Sequence, residues 1–319
     1  MSVIGKLHPG DFLGSELRRT PERFTFRLDA ATIDGLDRLL HSGTAGPAFA
    51  DRSRELLAEA SRSALAALAR GCGFILIKGL PVAGATPASI EALFRAMGDA
   101  LGSAVQQNLD GDTLTHVRDE GDDPENPEVR LYRTRAAQDF HTDGADVIGL
   151  LCLRGAREGG ASRIVSSVRA FASLKETRPD LAKALLEPWF FHLPGGKERG
   201  LPEAFPRPIV TVTGAKIETF FIPWYLERAQ ELSTVPRWTA EHVEAFRLYS
   251  QIIHDPALSL TMDFEPGDVQ WLRNAYVLHA RSAYEDELDP TRRRHLLRLW
   301  LSSPDLEDRT PRFEELGGG

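Results

Sequence analysis

The sequence is short of cysteine and of long apolar runs. Its two cysteines, Cys72 and Cys152, lie far apart, one beside glycines and the other inside an apolar stretch. This pattern excludes a disulfide framework and a thiolate metal site, and it predicts two small core residues in a reducing compartment. The longest uninterrupted apolar run, Val147 to Leu153, is far shorter than the roughly 20 residues of a membrane-spanning helix.

Basic side chains are fewer than acidic ones, 38 against 46, which gives a formal net charge of −8. Nucleic-acid binding needs a basic surface, so we expect a small-molecule partner and no nucleic acid. Residues Met1 to His8 carry one lysine and no apolar block of the kind found in signal peptides. We therefore expect a cytoplasmic protein with no membrane partner.

The hydrophobic pattern predicts one domain over residues 1–319, made mainly of strands with flanking helices. An irregular arm over 1–50 precedes a helix over 51–70, a strand over 74–78 and a helix that Thr86 caps. Further helices are predicted over 170–174, 179–186 and 239–253. Further strands are predicted over 131–134, 137–143, 147–153, 163–167, 209–213, 218–222, 258–264, 269–273, 277–284 and 295–302.

An acidic segment, residues 119–128, interrupts the strand-rich part of the chain. Its acidic residues are interleaved with glycine and proline, so the segment cannot bury itself and we expect a surface loop. Two interpretations stay open, a solvated connector and a cover over a cleft. We take residues 105–135 as a possible lid region.

Three side chains are candidate metal ligands. Of the nine histidines, only His141 begins a His-x-Asp, His141-Thr142-Asp143, although about 0.6 such pairs are expected by chance. Residues two apart on a strand share a face, so both side chains could reach one cation. His279, on a later predicted strand, is the best third ligand. Two histidines and a carboxylate suit Fe(II), and zinc hydrolases also use such ligands.

Arg298 lies in an apolar strand, within Arg292-Arg293-Arg294-His295-Leu296-Leu297-Arg298-Leu299-Trp300. A guanidinium in such a setting needs a partner, and its planar fork fits a carboxylate. A dicarboxylate cosubstrate would satisfy it. So would a core Asp or Glu, in which case the arginine is structural.

Together these residues resemble the taurine dioxygenase-like (TauD/TfdA) branch of the Fe(II)/2-oxoglutarate-dependent oxygenases. The similarity runs from about Phe74 to Ser303 and is strongest in Asp139–Asp143, Gly159–Ser162 and Asn274–Trp300. It implies a double-stranded β-helix (jelly-roll, cupin-like) core. The ligand set that it implies for the catalytic iron is His141, Asp143 and His279, and the residues that it implies for the far carboxylate of 2-oxoglutarate are Ser162 and Arg298.

The resemblance implies an enzyme that uses Fe(II), 2-oxoglutarate and O2 to oxidise a C–H bond, with release of succinate and CO2. We expect a small, carboxylate-bearing substrate and take Arg281 and Arg294 as candidates for contacting it. Ala137 stands where taurine-type enzymes have asparagine, which makes taurine itself an unexpected substrate. Two alternatives stay open, a zinc-type hydrolase or isomerase and a non-catalytic sensor of a small acid.

Overall fold

The computed structural model describes residues 8–43, 46–108, 110–124, 129–306 and 308. The helices among them are α1 Gly14–Leu17, α2 Ala30–Leu40, α3 Pro47–Leu56, α4 Ala58–Arg70, α5 Pro87–Asp99, α6 Ser167–Thr177, α7 Pro179–Ala184, α8 Pro223–Ala229 and α9 Ala240–Ile253. None of these described helices combines the length and the apolar character needed to cross a membrane.

The strands are β1 Thr25–Arg27, β2 Phe74–Lys78, β3 Ser103–Ala104, β4 Leu114–Val117, β5 Gln138–His141, β6 Val147–Arg154, β7 Glu158–Gly159, β8 Ser162–Ser166, β9 Pro188–His192, β10 Ala204–Pro208, β11 Val210–Thr213, β12 Lys216–Thr219, β13 Ser259–Met262, β14 Val269–Arg273, β15 Val277–Arg281, β16 Tyr284–Glu285 and β17 His295–Ser302. Seven of them form the larger sheet, in the order β1-β2-β14-β6-β17-β3 with β4 also paired to β17. Four form a second sheet, in the order β13-β8-β15-β5.

Strand β17 shows how the sequence builds the larger sheet. Leu297, Leu299 and Leu301 lie in a core cluster with α2 to α5, whereas Trp300 lies in a cluster that also holds side chains of β8, β13 and β15. Successive residues of a strand point to opposite faces. One face of this sheet therefore packs on helices and the other faces the second sheet, which places Arg298 between the two sheets.

The outer face of the second sheet packs against the remaining helices. Phe140 of β5, Val165 of β8 and Leu278 of β15 share a core cluster with buried residues of α6 to α9, among them Tyr249. The architecture is thus two facing sheets with helices on both outer sides, in agreement with the predicted mainly β fold with flanking helices.

Some predicted elements differ from those observed. The helix expected over 51–70 is broken at Leu57 into α3 and α4, and the strand expected over 131–134 is a 3-10 turn, Leu131–Arg133. The strand expected over 137–143 ends at His141, because the backbone then leaves the sheet to bond elsewhere. The N–H of Thr142 donates to the carbonyl of Phe221, 2.8 Å away. The sequence pattern also missed α8 and the β9–β10 hairpin.

Candidate active site

His141, Asp143 and His279 form one buried cluster between the sheets. Strands β5 and β15 are paired with His141 opposite His279, and the two imidazole rings lie 4.2 Å apart between centroids. Asp143 lies 3.7 Å from Nε2 of His141 and 3.4 Å from Nε2 of His279. One ligand atom from each residue lies within 4.8 Å of the others, so the three side chains could hold one metal ion.

The sequence argument for His141 and Asp143 needs one correction. Asp143 lies beyond the end of β5, so strand alternation does not bring the two side chains together. A buried Asn274 side chain orders the turn instead: its Oδ1 accepts from the N–H of Asp143 at 2.9 Å, and its Nδ2 donates to the carbonyls of Asp143 and Ala145 at 2.7 and 2.8 Å. Asn274 is therefore a positioning residue that the sequence analysis did not single out, although it begins one of the blocks carrying the family resemblance.

The surroundings also set the protonation of the ligands. Nδ1 of His141 lies 2.7 Å from the carbonyl of Asp139, which favours a proton on Nδ1 and leaves Nε2 as the ligand atom. Burial, reinforced by the nearby His279, lowers the pKa of His141 to about 3. Burial alone would raise the pKa of Asp143, but the hydrogen bond and charge of His279 lower it below its ordinary value. Neutral imidazole and ionised carboxylate are the forms that bind metal.

A small cavity of about 50 Å³ adjoins this cluster. His141 and His279 line it together with Ser162, Arg281, Arg294 and Arg298. Nη1 of Arg294, Nη2 of Arg298, and both Nε and Nη1 of Arg281 are buried without a hydrogen-bond partner among the described residues. Three arginines with unpaired donors around one small space fit the carboxylate of a bound acid, because buried donors in folded proteins are normally paired.

Arg281 makes different contacts from the other two arginines. Its Nη2 donates to the carbonyls of Thr134 at 2.9 Å, of Leu131 at 3.4 Å and of Ala136. It therefore holds the chain just before β5. Neither Arg281 nor Arg294, the two candidates for substrate contact, is among the residues that line the large cavity described below.

The glycine pair before β8 leaves room for the side chain of Arg294 beside the small cavity. Gly160 has a φ of +72°, and a Cβ on it would lie 3.0 Å from Nε of Arg294. Side chains rarely adopt this backbone conformation, and any side chain here would push against the guanidinium. The Gly159-Gly160 motif thus acts beside Ser162, at the position where the resemblance places the cosubstrate carboxylate.

Arg298 is held in place by Gln107, which is fully buried. Nε of Arg298 donates to Oε1 of Gln107 at 2.8 Å, and Nε2 of Gln107 donates to the backbone carbonyl of Arg298 at 3.1 Å. The guanidinium also lies over the rings of Tyr132 and Trp300, 4.7 and 4.9 Å from their centroids. The indole N–H of Trp300 donates to Asp143 at 3.1 Å, which connects this arginine to the ligand cluster.

A larger cavity of about 520 Å³ opens on the same cluster. It is lined by His141, Asp143, Arg298 and Trp300 and is enclosed by Pro124 with residues 129–132 and by two further segments, residues 192–205 and 220–231. The last two include the β9–β10 hairpin and α8, which the sequence pattern missed. No motif identifies them, since α8 is short and prolines interrupt the hairpin.

Part of the predicted lid region lies in this wall. Pro124 and residues 129–132 line the large cavity, whereas β4 is a strand of the larger sheet. In the acidic segment, Asp119 and Asp122 pair with Arg135 and Arg133 at 3.0 and 2.5 Å. Residues 125–128 of that segment lie outside the described residues.

Comparison with known proteins decides the family. The model of the "Taurine catabolism dioxygenase TauD, TfdA family" matches residues 42–300. The chain belongs to the TauD/TfdA family. It is 30% identical to the FR-33289 synthase of Streptomyces rubellomurinus over 74% of this chain and 70% of that protein. It is 31% identical to the taurine hydroxylase-like protein SAT17 of Stachybotrys chartarum over 75% of this chain and 63% of that protein.

Solved structures of similar fold give a second comparison. An asparagine oxygenase in complex with Fe(II), a 3-hydroxyasparagine and succinate superimposes with a TM-score of 0.69 at 20% identity, over 88% of this chain and 94% of that one. This likeness confirms the cupin-like fold. As a TauD/TfdA member the protein is an Fe(II)/2-oxoglutarate-dependent oxygenase. The zinc-hydrolase and sensor alternatives are thereby set aside.

Proposed function

We propose that His141, Asp143 and His279 are the iron ligands of this TauD/TfdA oxygenase. The proposal is carried by one observation, the convergence of their ligand atoms within 4.8 Å at the mouths of two cavities. A facial set of two histidines and a carboxylate leaves open positions for other ligands. When bound there, Fe(II) supplies activation of O2 and oxidation of a C–H bond, with 2-oxoglutarate converted to succinate and CO2.

We propose further that the small cavity receives the far carboxylate of 2-oxoglutarate. Arg298 and Ser162 remain the residues to which we assign this contact, and the unpaired Nη1 of Arg294 adds a second guanidinium. Charge-assisted bonds to a carboxylate fix the orientation of the keto acid before O2 arrives. Arg294 is thus assigned to the cosubstrate instead of the substrate.

The large cavity is the proposed site of the primary substrate, and hydroxylation is the proposed outcome. The names of two relatives, a taurine hydroxylase-like protein and an oxygenase bound to a hydroxylated amino acid, support hydroxylation. Desaturation and ring closure differ from it in the product, which loses two hydrogens instead of gaining an oxygen atom. Residues 129–132 act as the inner face of a cover that keeps water from the reacting C–H bond.

Anaerobic titration with Fe(II) and 2-oxoglutarate tests the ligand assignment. In the wild type we expect the weak visible charge-transfer band of a chelated keto acid. In His141→Ala, Asp143→Ala and His279→Ala we expect no such band, and no succinate release when O2 is then admitted. His41→Ala, at an exposed position, is the matched control. Normal succinate release by any of the three ligand variants would contradict the assignment.

A further inference from the structure

Arg199 lines the large cavity from the loop between β9 and β10, and the proposed oxygenase chemistry does not use it. Its Nε donates to the carbonyl of Gly195 at 2.8 Å and its Nη2 to the carbonyl of Pro194 at 2.6 Å. Its Nη1 is buried without a hydrogen-bond partner among the described residues. The loop therefore orients the guanidinium and leaves one nitrogen unused.

The loop around Arg199 is closely built. A Cβ on Gly196 would lie 2.4 Å from the carbonyl oxygen of Pro202, so only glycine allows the two sides of the loop to approach. The N–H of Leu201 donates to the carbonyl of Gly196 at 2.8 Å. Such contacts fix the backbone on both sides of the arginine, so that little conformational freedom is lost when a ligand binds.

The cavity that Arg199 lines is mainly apolar. Its lining includes the apolar side chains Leu193, Phe205, Phe220, Ile222 and Trp224. Among the described residues, the hydrogen bonds of Arg199 go to the backbone carbonyls of Gly195 and Pro194 and to no carboxylate. A guanidinium among apolar groups is stabilised by an anion with matching geometry.

The other arginines that line the large cavity already have partners or an assigned role. Arg298 is assigned to the cosubstrate, and Arg130 and Arg228 each interact with other groups of the protein. Two carboxylates, Glu227 and Glu231, also line the cavity. Burial, together with the charge of Asp139, raises the pKa of Glu227.

We propose that Arg199 determines substrate specificity by binding an anionic group attached to an aromatic or apolar body. The group is a carboxylate, a sulfonate or a phosphate, which share the geometry that a guanidinium recognises. A cavity of about 520 Å³ lies within the range of ~300–1,000 Å³ that holds drug-sized ligands. The proposal rests on the assignment of the large cavity to the substrate, and it deepens that assignment.

A pair of fluorescent probes tests the proposal without knowledge of the natural substrate. 8-Anilinonaphthalene-1-sulfonate has an aromatic body and a sulfonate, and N-phenyl-1-naphthylamine is the same body without the charge. Both are titrated into the enzyme loaded with Fe(II) and 2-oxoglutarate under nitrogen. The proteins compared are the wild type, Arg199→Gln, Arg199→Lys and the control Lys197→Gln, whose position is exposed in the same turn.

We expect Arg199→Gln to bind the sulfonate at least tenfold more weakly and the neutral probe within twofold of the wild type. Arg199→Lys should bind the sulfonate more weakly than the wild type but more tightly than Arg199→Gln, because it keeps the charge without the planar fork, and Lys197→Gln should bind both probes normally. Unchanged sulfonate affinity in Arg199→Gln, equal loss of both probes or no binding of the sulfonate to the wild type would each overturn the proposal. Matching carboxylate and phosphate probes then rank the three anions.

The same experiment separates this proposal from the oxygenase assignment. Probe binding does not require turnover, so iron-free His279→Ala should still prefer the sulfonate to the neutral probe, even though it releases no succinate. If His279→Ala releases no succinate but still prefers the sulfonate to the neutral probe, the result supports both the iron-ligand assignment and the proposal for Arg199. Normal succinate release by His279→Ala would refute the ligand assignment alone.

Discussion

Replacement of Gln107 by Glu is expected to weaken cosubstrate binding and also to lower stability, because Nε2 of Gln107 donates to the carbonyls of Thr113 and Arg298 and a carboxylate cannot donate. Oε1 of Gln107 lies 2.8 Å from Nε of Arg298, so Gln107→Glu places a carboxylate against the guanidinium that we assign to 2-oxoglutarate. The new ion pair satisfies Arg298 within the protein and competes with the bound acid. A hydrogen bond to a charged group contributes about 1.5–3 kcal/mol, which corresponds to a rise of roughly 10- to 150-fold in the KM for 2-oxoglutarate.

The assay is succinate release at varied 2-oxoglutarate concentration, with thermal unfolding measured in parallel. Gln106→Glu is the matched control, because it adds the same charge one residue away from the Arg298 contact. Kinetic effects should concentrate in the KM for 2-oxoglutarate, and the Tm of Gln107→Glu should lie below that of the control because two carbonyls lose their donor. A KM for 2-oxoglutarate equal to the wild-type value would refute the reasoning that Arg298 holds the cosubstrate.

Three further predictions concern other buried charges. Arg294→Lys should raise the KM for 2-oxoglutarate about tenfold, because lysine lacks the planar fork of arginine. A rise confined to the KM for the primary substrate would contradict the assignment of Arg294 to 2-oxoglutarate. Asp308→Asn should lower the free energy of unfolding by about 3–5 kcal/mol in urea titrations, because the buried Asp308 side chain accepts from Nε of Arg273 at 2.8 Å and from its Nη2. Burial, with the nearby His116, lowers the pKa of His295 to about 4. The unfolded chain takes up this proton near pH 6.5 and the folded chain only near pH 4, so stability should fall by about 3 kcal/mol as the pH drops between them. The same acid titration of His295→Gln should be flatter, and identical curves would rule out this histidine as the cause.

The sequence predicted the ligand cluster because two of its members are neighbours in the chain and the third lies on a strand with a clear apolar pattern. It could not predict how Asp143 reaches the cluster, since Asn274 contributes through a turn that exists only in the fold. Gln107 has no motif around it, and its importance arises from the distant strand that carries Arg298. Contacts between residues far apart in the chain leave no periodic signal.

The walls of the large cavity were the least predictable part of the site, and this follows from their role. His141, His279 and Arg298 stand on strands that also build the core, so hydrophobic alternation reveals their positions. Arg199 stands instead on a loop whose backbone hydrogen bonds and glycines set its orientation, with no apolar period to predict it. The sequence of the loops that contact the substrate can change while the strands that carry the catalytic residues stay the same. Specificity within this family should therefore be examined in the loops, beginning with residues 192–205.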